Sequence, residues 1–275
     1  MGRLRAIFLA PGALTMLLLF GVPLLIVIAY SLMTRGPYGG VSLPFTTEGH
    51  RRIADWLYGQ ILWRSMWIAA IATFLCLLLG FPLALFISRS KRSKTLLLNL
   101  VMLPFWTSFL VRTYAWIFLL RDTGLVNAAL QAAHLIREPL PLLFNTSAVI
   151  LGLVYGYLPF MVLPLYATLE KLDPALMEAA EDLGASPLMA VWRVALPLSR
   201  PGMIAGSLLV FIPCLGAYLT PDLMGGGRTV MLGNLVQNQF TSARDWPFGS
   251  AVSLLLLLAA GIVTQWLRRR DEDLL

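Results

Sequence analysis

The sequence predicts an all-α membrane protein with six transmembrane helices, and three observations lead to that prediction. Of its 275 residues, 58% are hydrophobic and only 13% are charged, whereas about a quarter of the residues in a soluble domain carry charge. The charged residues are also clustered, so that charge-free runs remain at 6–34, 65–88, 139–169, 201–221 and 246–267. A sixth apolar run, 95–120, is interrupted only by Arg112. Each run supplies the roughly 20 residues with which a helix crosses a hydrocarbon layer about 30 Å thick.

The first apolar run follows Arg3 and Arg5, an arrangement that also occurs in secretory signals. The apolar region of a signal is about 7–15 residues long, and this run is nearly twice that length. We therefore expect a retained membrane helix at 8–30, which together with an external loop forms an N-terminal region, 1–61. The other helices are predicted at 64–87, 95–120, 147–168, 202–222 and 247–267, within a membrane domain, 62–268, that precedes a cytoplasmic tail, 269–275.

Basic residues set the predicted orientation. An even number of spans places both termini on one side, and that side then carries a dense basic cluster at 89–94 and three consecutive arginines at 268–270. Because short cytoplasmic loops are enriched in Lys and Arg, both termini are expected in the cytoplasm.

Prolines interrupt several predicted helices, at Pro82, Pro104, Pro159, Pro164 and Pro213. A proline frees a carbonyl and kinks a helix, which suits helices that bend around a translocation path. Prolines are also more frequent in membrane helices than in soluble ones. The sequence alone favours neither explanation over the other.

The sequence lacks the motifs of enzymes and metal sites. Cys76 and Cys214 fall inside apolar runs, as small packing residues do, and the two histidines, His50 and His134, lack the spacing of metal ligands. None of the three lysines follows a glycine, so the chain has no phosphate-binding loop for ATP. We therefore expect this chain to be non-catalytic and to bind no metal or cofactor of its own.

The segment between the fourth and fifth spans is the most informative part of the chain. It holds five of the fourteen acidic residues, on a side of the membrane that is otherwise basic. Asp173 followed by Pro174 is typical of a helix start, and Gly184 is suited to the left-handed residue after a helix end. Ser186 and Pro187 then repeat the start signal before a second short helix, 188–194. The pattern predicts a compact helix–turn–helix on the inner membrane surface.

Two small apolar faces are predicted on this segment: Leu176, Ala179, Ala180 and Leu183 on the first helix, and Leu188, Val191 and Trp192 on the second. An exposed apolar face marks a docking surface, and a partner groove would accept the small first face. Packing of the segment on the membrane surface is the alternative, and the residues favour partner docking.

The same segment carries a family resemblance. Glu178-Ala179-Ala180, three residues, Gly184, nine residues and Val194-Ala195-Leu196-Pro197 resemble the E-A-A-x3-G-x9-I-x-L-P signature of type I ABC importer permeases, with valine in place of isoleucine. The resemblance extends over about 62–268. It implies the six-helix permease fold of that family and a coupling helix that contacts a cytoplasmic ATPase through Glu178, Ala179, Ala180, Asp182, Leu183, Gly184 and Pro197.

The resemblance also implies partners. These are a second homologous permease subunit in a heterodimer, two ATPase subunits that bind ATP and Mg, and an extracytoplasmic substrate-binding protein, all at a bacterial inner membrane and without nucleic acid. Stretches 103–108, 111–116, 221–226 and 244–249 resemble spermidine/putrescine permeases of the first-subunit type. Polyamines are therefore the expected substrates. Another small organic solute is the alternative, and a self-contained carrier or channel is a weaker one because neither internal repeats nor buried acids are visible.

The spans are rich in aromatic residues and poor in acids, as an uncharged passage for an organic cation would be. The candidates for the passage or its gate are Trp106, Arg112, Tyr114, Trp116, Tyr218 and Asp222, although an interfacial aromatic belt would also explain the aromatic ones. Arg112 lies about 17 residues beyond the cytoplasmic end of its predicted span, which corresponds to roughly 25 Å along the helix axis from that end. We expect it to pair with Asp222, or with equivalents in a partner subunit, in an outer gate. An arginine that reaches to lipid headgroups is the alternative.

Overall fold

The computed structural model describes residues 10–90 and 92–272. Arg3, Arg5, the first two residues of the predicted helix 8–30 and the end of the predicted tail lie outside the described residues. In chain order the elements are α1 (Ala10–Ser31), β1 (Met33–Arg35), β2 (Val41–Phe45), α2 (Glu48–Ile53), α3 (Trp56–Arg89), α4 (Lys94–Trp106), α5 (Phe109–Leu120), α6 (Leu125–Ala132), α7 (Thr146–Leu169), α8 (Pro174–Asp182), α9 (Pro187–Leu198), α10 (Arg200–Leu215), α11 (Leu219–Gly225), α12 (Leu232–Phe240) and α13 (Trp246–Glu272).

The predicted helical membrane fold is confirmed, with two of the spans bent. Four helices, α1, α3, α7 and α13, are each long and apolar enough to cross a membrane. Two further spans consist of bent pairs: α4 with the helical segment 109–132, at 87°, and α9 with α10, at 69°. The count is therefore four spans, or six if each bent pair is one span. The second span is longer than predicted, because α3 begins at Trp56.

The prediction of a single third helix at 95–120 is wrong. The helix ends at Trp106, and Thr107 and Ser108 have extended backbone before α5 begins at Phe109. Pro104 cannot donate a backbone hydrogen bond, and the Thr107 hydroxyl donates to the Pro104 carbonyl at 2.7 Å. A proline followed by hydroxyl side chains that bond to the backbone favours a break over a continuous helix.

The prediction of a single fifth helix at 202–222 is also wrong. The helix α10 ends at Leu215, with Gly216 as its C-terminal cap, and α11 is a separate helix. Pro213 in the last turn and Gly216 directly after it weaken the helix at this point.

Contacts divide the described chain into two units. The first combines the chain up to Leu62 with Leu232–Ala259, and the second combines Trp63–Met231 with the chain from Ala260 onward. The predicted division at 1–61, 62–268 and 269–275 stays a prediction.

The second unit is built around α7, in which eleven residues are buried. Asn145 caps its start, because the Ala148 N–H donates to the Asn145 side-chain oxygen at 2.8 Å. Glycines allow neighbouring helices to approach closely: a Cβ at Gly206 of α10 would lie 2.7 Å from Met161 Sδ, and one at Gly152 would lie 2.7 Å from Thr220 of α11. Small residues at such crossings are typical of helices that associate in membranes.

The first unit contains structure that the predicted external loop did not include. The strands β1 and β2 form an antiparallel hairpin, and α2 follows it. Arg52 of α2 forms an ion pair with Asp245 at 2.7 Å and lies over the Phe248 ring, 4.1 Å from its centroid. Arg35 donates a hydrogen bond to the Ala243 carbonyl at 2.7 Å. These contacts join the hairpin and α2 to the start of α13, and we call them the hairpin clasp.

Candidate functional site

The segment 173–198 folds as the predicted helix–turn–helix. Asp173 caps α8, because its carboxylate accepts the Ala175 N–H at 3.0 Å. At the other end Gly184 has φ +91°, the Gly184 N–H donates to the Glu181 carbonyl at 2.9 Å, and the Ala185 N–H donates to the Ala180 carbonyl at 3.0 Å. This pair of bonds around a left-handed glycine is the Schellman arrangement. The predicted start and end of the first helix are both confirmed.

The second helix starts as predicted but is longer. The Ser186 hydroxyl accepts the Met189 N–H at 3.3 Å, and Pro187 is the first residue of α9. The prediction of a helix at 188–194 that stops before Pro197 is wrong, since α9 continues to Leu198. A π-helical turn at Val191–Ala195 ends two residues before the proline. Such local widening is one way in which a helix continues past a residue that lacks an N–H.

Each helix of the segment has an anchored side and an exposed side. Met177 is buried, and Ala180, Val191 and Val194 pack against the core of the second unit, so two residues of the predicted apolar faces are anchors. The exposed residues include Leu183, which is 90% exposed, and Trp192, which is 63% exposed. Of the predicted coupling residues, the exposed ones are Glu178, Ala179, Asp182, Leu183 and Gly184, while Ala180 and Pro197 are half-buried.

An ion pair links this segment to the third span. The Lys94 Nζ, in the first turn of α4, lies 2.7 Å from Glu170 Oε1, at the end of α7 and three residues before the Asp173 cap. The hydrogen bond from Lys94 lowers the pKa of Glu170 below its ordinary range, and a bond from Tyr166 adds to this effect. Sequence reasoning missed this pair, because 76 residues separate its members and no local pattern connects them.

Four of the six candidate residues for the passage or its gate lie on α4 or α5, near the break between these helices. Phe105 at the end of α4 packs edge-on against Phe160 of α7, with ring centroids 5.3 Å apart. Trp116 of α5 packs edge-on against Tyr155 of α7 at 5.4 Å. Arg112 lies between these two contacts in sequence, beside a small cleft that Trp116, Tyr155, Met224 and two glycines, Gly152 and Gly156, also line.

The cleft places Arg112 beside the N-terminal half of α7. Gly152 and Gly156 are 6 and 10 residues from the first residue of α7, which corresponds to roughly 9–15 Å along the helix. The guanidinium lies 5.8 Å from the centroid of the Phe105 ring and 5.5 Å from that of Phe109. Its Nε and Nη1 atoms are buried, and neither has a hydrogen-bond partner among the described residues.

Arg112 and Asp222 do not pair within this chain, since no ion pair joins them among the described residues. The geometry of α11 explains this result. Met224 is fully buried and lines the cleft beside Arg112, whereas Asp222 is exposed. Residues two apart on a helix point about 200° from each other, so Asp222 faces away when Met224 faces in. The expected pairing with equivalents in a partner subunit stays a prediction.

The remaining passage candidates are divided between the cleft and the surface of the chain. Trp116 is half-buried in the cleft with Arg112. Trp106 is 70% exposed, Tyr114 48% and Tyr218 46%. Within the described residues, no group of three or more His, Cys, Asp or Glu side chains could hold a metal ion.

Comparisons with known proteins give the family. Residues 76–270 match the model of the binding-protein-dependent transport system inner membrane component family. The spermidine/putrescine transport system permease protein PotB of Escherichia coli (strain K12) is 44% identical over 243 residues, covering 88% of each chain. PotB of Haemophilus influenzae is 43% identical, covering 88% of this chain and 85% of its own. The inner membrane ABC transporter permease protein YdcU of E. coli (strain K12) is 34% identical, covering 76% and 71%.

Two solved structures have the same fold. A chain of a bacterial alginate ABC transporter, in complex with its periplasmic protein, has a TM-score of 0.77 at 14% identity and covers 98% of this chain and 94% of its own. A chain of the inward-facing MetNI methionine ABC transporter has a TM-score of 0.58 at 20% identity, covering 80% and 97%. At these identities the likeness establishes the fold of the chain and nothing about its substrate.

Proposed function

This chain belongs to the family of binding-protein-dependent transport system inner membrane components, and on that premise we propose that it is the permease subunit of an ATP-driven polyamine importer. It is a multi-pass inner-membrane protein. In the proposal it forms the translocation path for spermidine, putrescine or a related small organic cation. The 44% identity to PotB over most of both chains supports this substrate class.

The observation that carries the proposal is the cytoplasmic helix α8 with its two defined ends. Its anchored side packs on the core of the second unit, and its exposed side presents Glu178, Ala179, Asp182 and Leu183. An exposed helix that is anchored from behind can be moved as a unit by a partner. In the proposal α8 binds to one of two ATPase subunits. The ATP-driven closure of these subunits moves the spans between inward-open and outward-open states.

The chemistry is divided among the subunits. ATP and Mg bind to the ATPase subunits, and this chain is non-catalytic and binds no cofactor. A second, homologous permease completes the passage as a heterodimer, and an extracytoplasmic binding protein selects the solute. Both termini face the cytoplasm, which leaves α8 on the side of the ATPases.

The passage in this proposal is aromatic. Trp106, Tyr114, Trp116 and Tyr218 offer ring faces to ammonium groups, a contact of about 0.5–2 kcal/mol per ring depending on how fully it is desolvated. Weak, repeated contacts of this kind let a cation move on instead of trapping it. Arg112 and Asp222 belong to the outer gate, each paired with groups of the second permease.

The test is uptake of labelled putrescine and spermidine in cells that carry the complete operon, with and without this chain. Loss of uptake on deletion, competed by one unlabelled polyamine, supports the proposal. Unchanged polyamine uptake, with the other subunits still assembled, refutes polyamines as the substrate.

A pair of glycine variants tests the docking role separately. Gly184→Asp places a charged side chain at the exposed end of α8, and we expect the assembled transporter to lose uptake. Gly40→Asp is the matched control, because Gly40 also has positive φ and open space, with φ +78° against +91° for Gly184, but lies in the external hairpin. Equal uptake by the two variants, at equal amounts of assembled complex, would refute the docking role.

A further inference from the structure

Two of the three nitrogen atoms of the Arg112 guanidinium, Nε and Nη1, are buried without a hydrogen-bond acceptor among the described residues. The Phe105 and Phe109 rings beside the guanidinium carry no oxygen atom that could accept. A charged group inside a membrane span is costly unless it is paired, and such groups face a partner or a water-filled cavity. The observed state of Arg112 is therefore incomplete without an acceptor from elsewhere.

Between Trp63 and Met231, no described carboxylate forms an ion pair with Arg112. Glu170 is paired with Lys94, and Asp222 faces away from the cleft. The other acids between Trp63 and Met231 lie in the segment 173–198 or in the loop region after α5: Asp122, Glu138, Asp173, Glu178, Glu181 and Asp182. Arg112 is therefore without a carboxylate partner among the described residues of this region.

The surface beside Arg112 is suited to a second membrane protein. Arg112 itself is half-buried, at the border between the packed and the exposed sides of α5. On the exposed side, Val111 is 63% exposed and Phe118 59%, with Tyr114 between them at 48%. A helix packed over this side would reach the open edge of the guanidinium.

We propose that Arg112 binds an Asp or Glu carboxylate from a membrane helix of the second permease subunit. This inference rests on the proposed function, which supplies that subunit. Charge complementarity selects the partner: a carboxylate accepts from an arginine in a strong, bidentate arrangement. A polyamine carries the same charge as Arg112 and is repelled by it. Lipid phosphate groups lie outside the hydrocarbon layer, whereas Arg112 lies roughly 9–15 Å along α7 from its N-terminal end.

The pairing also affects the charge that a transported cation would meet. An unpaired arginine at this depth would repel a polycation in a neighbouring passage, because charge interactions are strong in a low-dielectric medium. A carboxylate from the second permease removes that net charge. The pair therefore holds the two permeases together and allows a cation to pass.

Charge inversion tests the pairing in the complete transporter. We expect Arg112→Glu to weaken co-purification of the second permease about tenfold or more, because truncating a buried charge pair leaves the other charge unpaired. Arg121→Glu is the matched control: Arg121 also lies over a ring, Phe118, at 5.5 Å, but at the exposed outer end of α5. Arg112→Lys, which retains the charge, should preserve most of the association.

Suppressor selection identifies the partner. Starting from Arg112→Glu, we expect second-site changes of an Asp or Glu to Lys or Arg in a membrane helix of the second permease. Wild-type co-purification by Arg112→Glu, or suppressors confined to this chain, would overturn the inference. Co-purification does not depend on the substrate, so a failure here is distinct from a failure of polyamine uptake by the wild-type transporter.

Discussion

Replacing Gly202 with alanine tests how the central helices pack. Gly202 of α10 faces α7, and a Cβ at this position would lie 2.5 Å from the Thr168 hydroxyl and 2.8 Å from the Pro164 carbonyl oxygen. Ordinary van der Waals contact begins at 3.4 Å, so both distances are too short. The carbonyl is backbone, and the hydroxyl is fixed by its own hydrogen bond to that carbonyl at 3.0 Å. The added methyl therefore separates the two helices.

The magnitude follows from these contacts. Inserting a methyl group into a packed interior costs about 1–3 kcal/mol. Alanine gains about 0.5–1 kcal/mol over glycine in a helix, which offsets part of that cost. We expect a net destabilisation of about 1–2 kcal/mol. Gly206→Ala should cost less, because its closest contact, at 2.7 Å, is the flexible side chain of Met161.

Thermal unfolding of the purified chain in detergent measures the effect. Gly261→Ala in α13 is the matched control, since a Cβ at Gly261 meets nothing within 4 Å among the described residues. The control should be as stable as the wild type or slightly more stable. If Gly202→Ala unfolds at the same temperature as Gly261→Ala, close packing of α10 on α7 does not stabilise this protein.

Three further changes test other parts of the molecule. Asp173→Ala removes the N-terminal cap of α8 and should destabilise that helix by about 1 kcal/mol, which lowers uptake per ATP hydrolysed. Asp173→Ser should retain the helix stability and the uptake per ATP. Equal behaviour of the two variants would contradict the capping role. Asp245→Asn weakens the 2.7 Å ion pair with the partly exposed Arg52 and should lower the free energy of unfolding by about 1 kcal/mol, measured by thermal unfolding. An unchanged unfolding midpoint would contradict a stabilising role for the hairpin clasp. Lys94 lowers the pKa of Glu170 below its ordinary 4.5, so the stability from this ion pair is present above pH 4.5 and is lost as the pH falls through the lowered pKa. The difference in unfolding midpoint between wild type and Glu170→Gln should therefore vanish in acid. A difference that persists would contradict the pairing.

The helix starts and the first helix end in the segment 173–198 could be predicted from the sequence, because the contacts that define them are local. The Asp173 cap bonds two residues ahead, and the Gly184 turn bonds within five residues. Such contacts depend on side chains and backbone conformations that the sequence states directly. The length of α9 was missed because Pro197 reads as a stop signal, while the structure places a π-helical turn before it.

The breaks in the third and fifth spans follow from a different limit. Hydropathy measures whether a run can cross a membrane, and it contains no term for the direction of the chain within that run. Pro104 with Thr107 and Ser108, and Pro213 with Gly216, are signals of breaks in retrospect. The same residue types also occur inside α3 and α7, which contain prolines and remain unbroken. Packing against neighbouring helices decides between a kink and a break, and one sequence does not encode it locally.

The ionic contacts mark the limit of prediction most clearly. Lys94 and Glu170 are 76 residues apart, and Arg52 and Asp245 are 193 apart. No spacing rule connects such residues, so the fold must be known before either pair can be found. Arg112 goes one step further, because no described residue forms an ion pair with it or accepts a hydrogen bond from its buried nitrogen atoms. Its charge was visible from the start as the single interruption of an apolar run. In the proposed assembly, this charge marks the part of α5 on which the second permease packs.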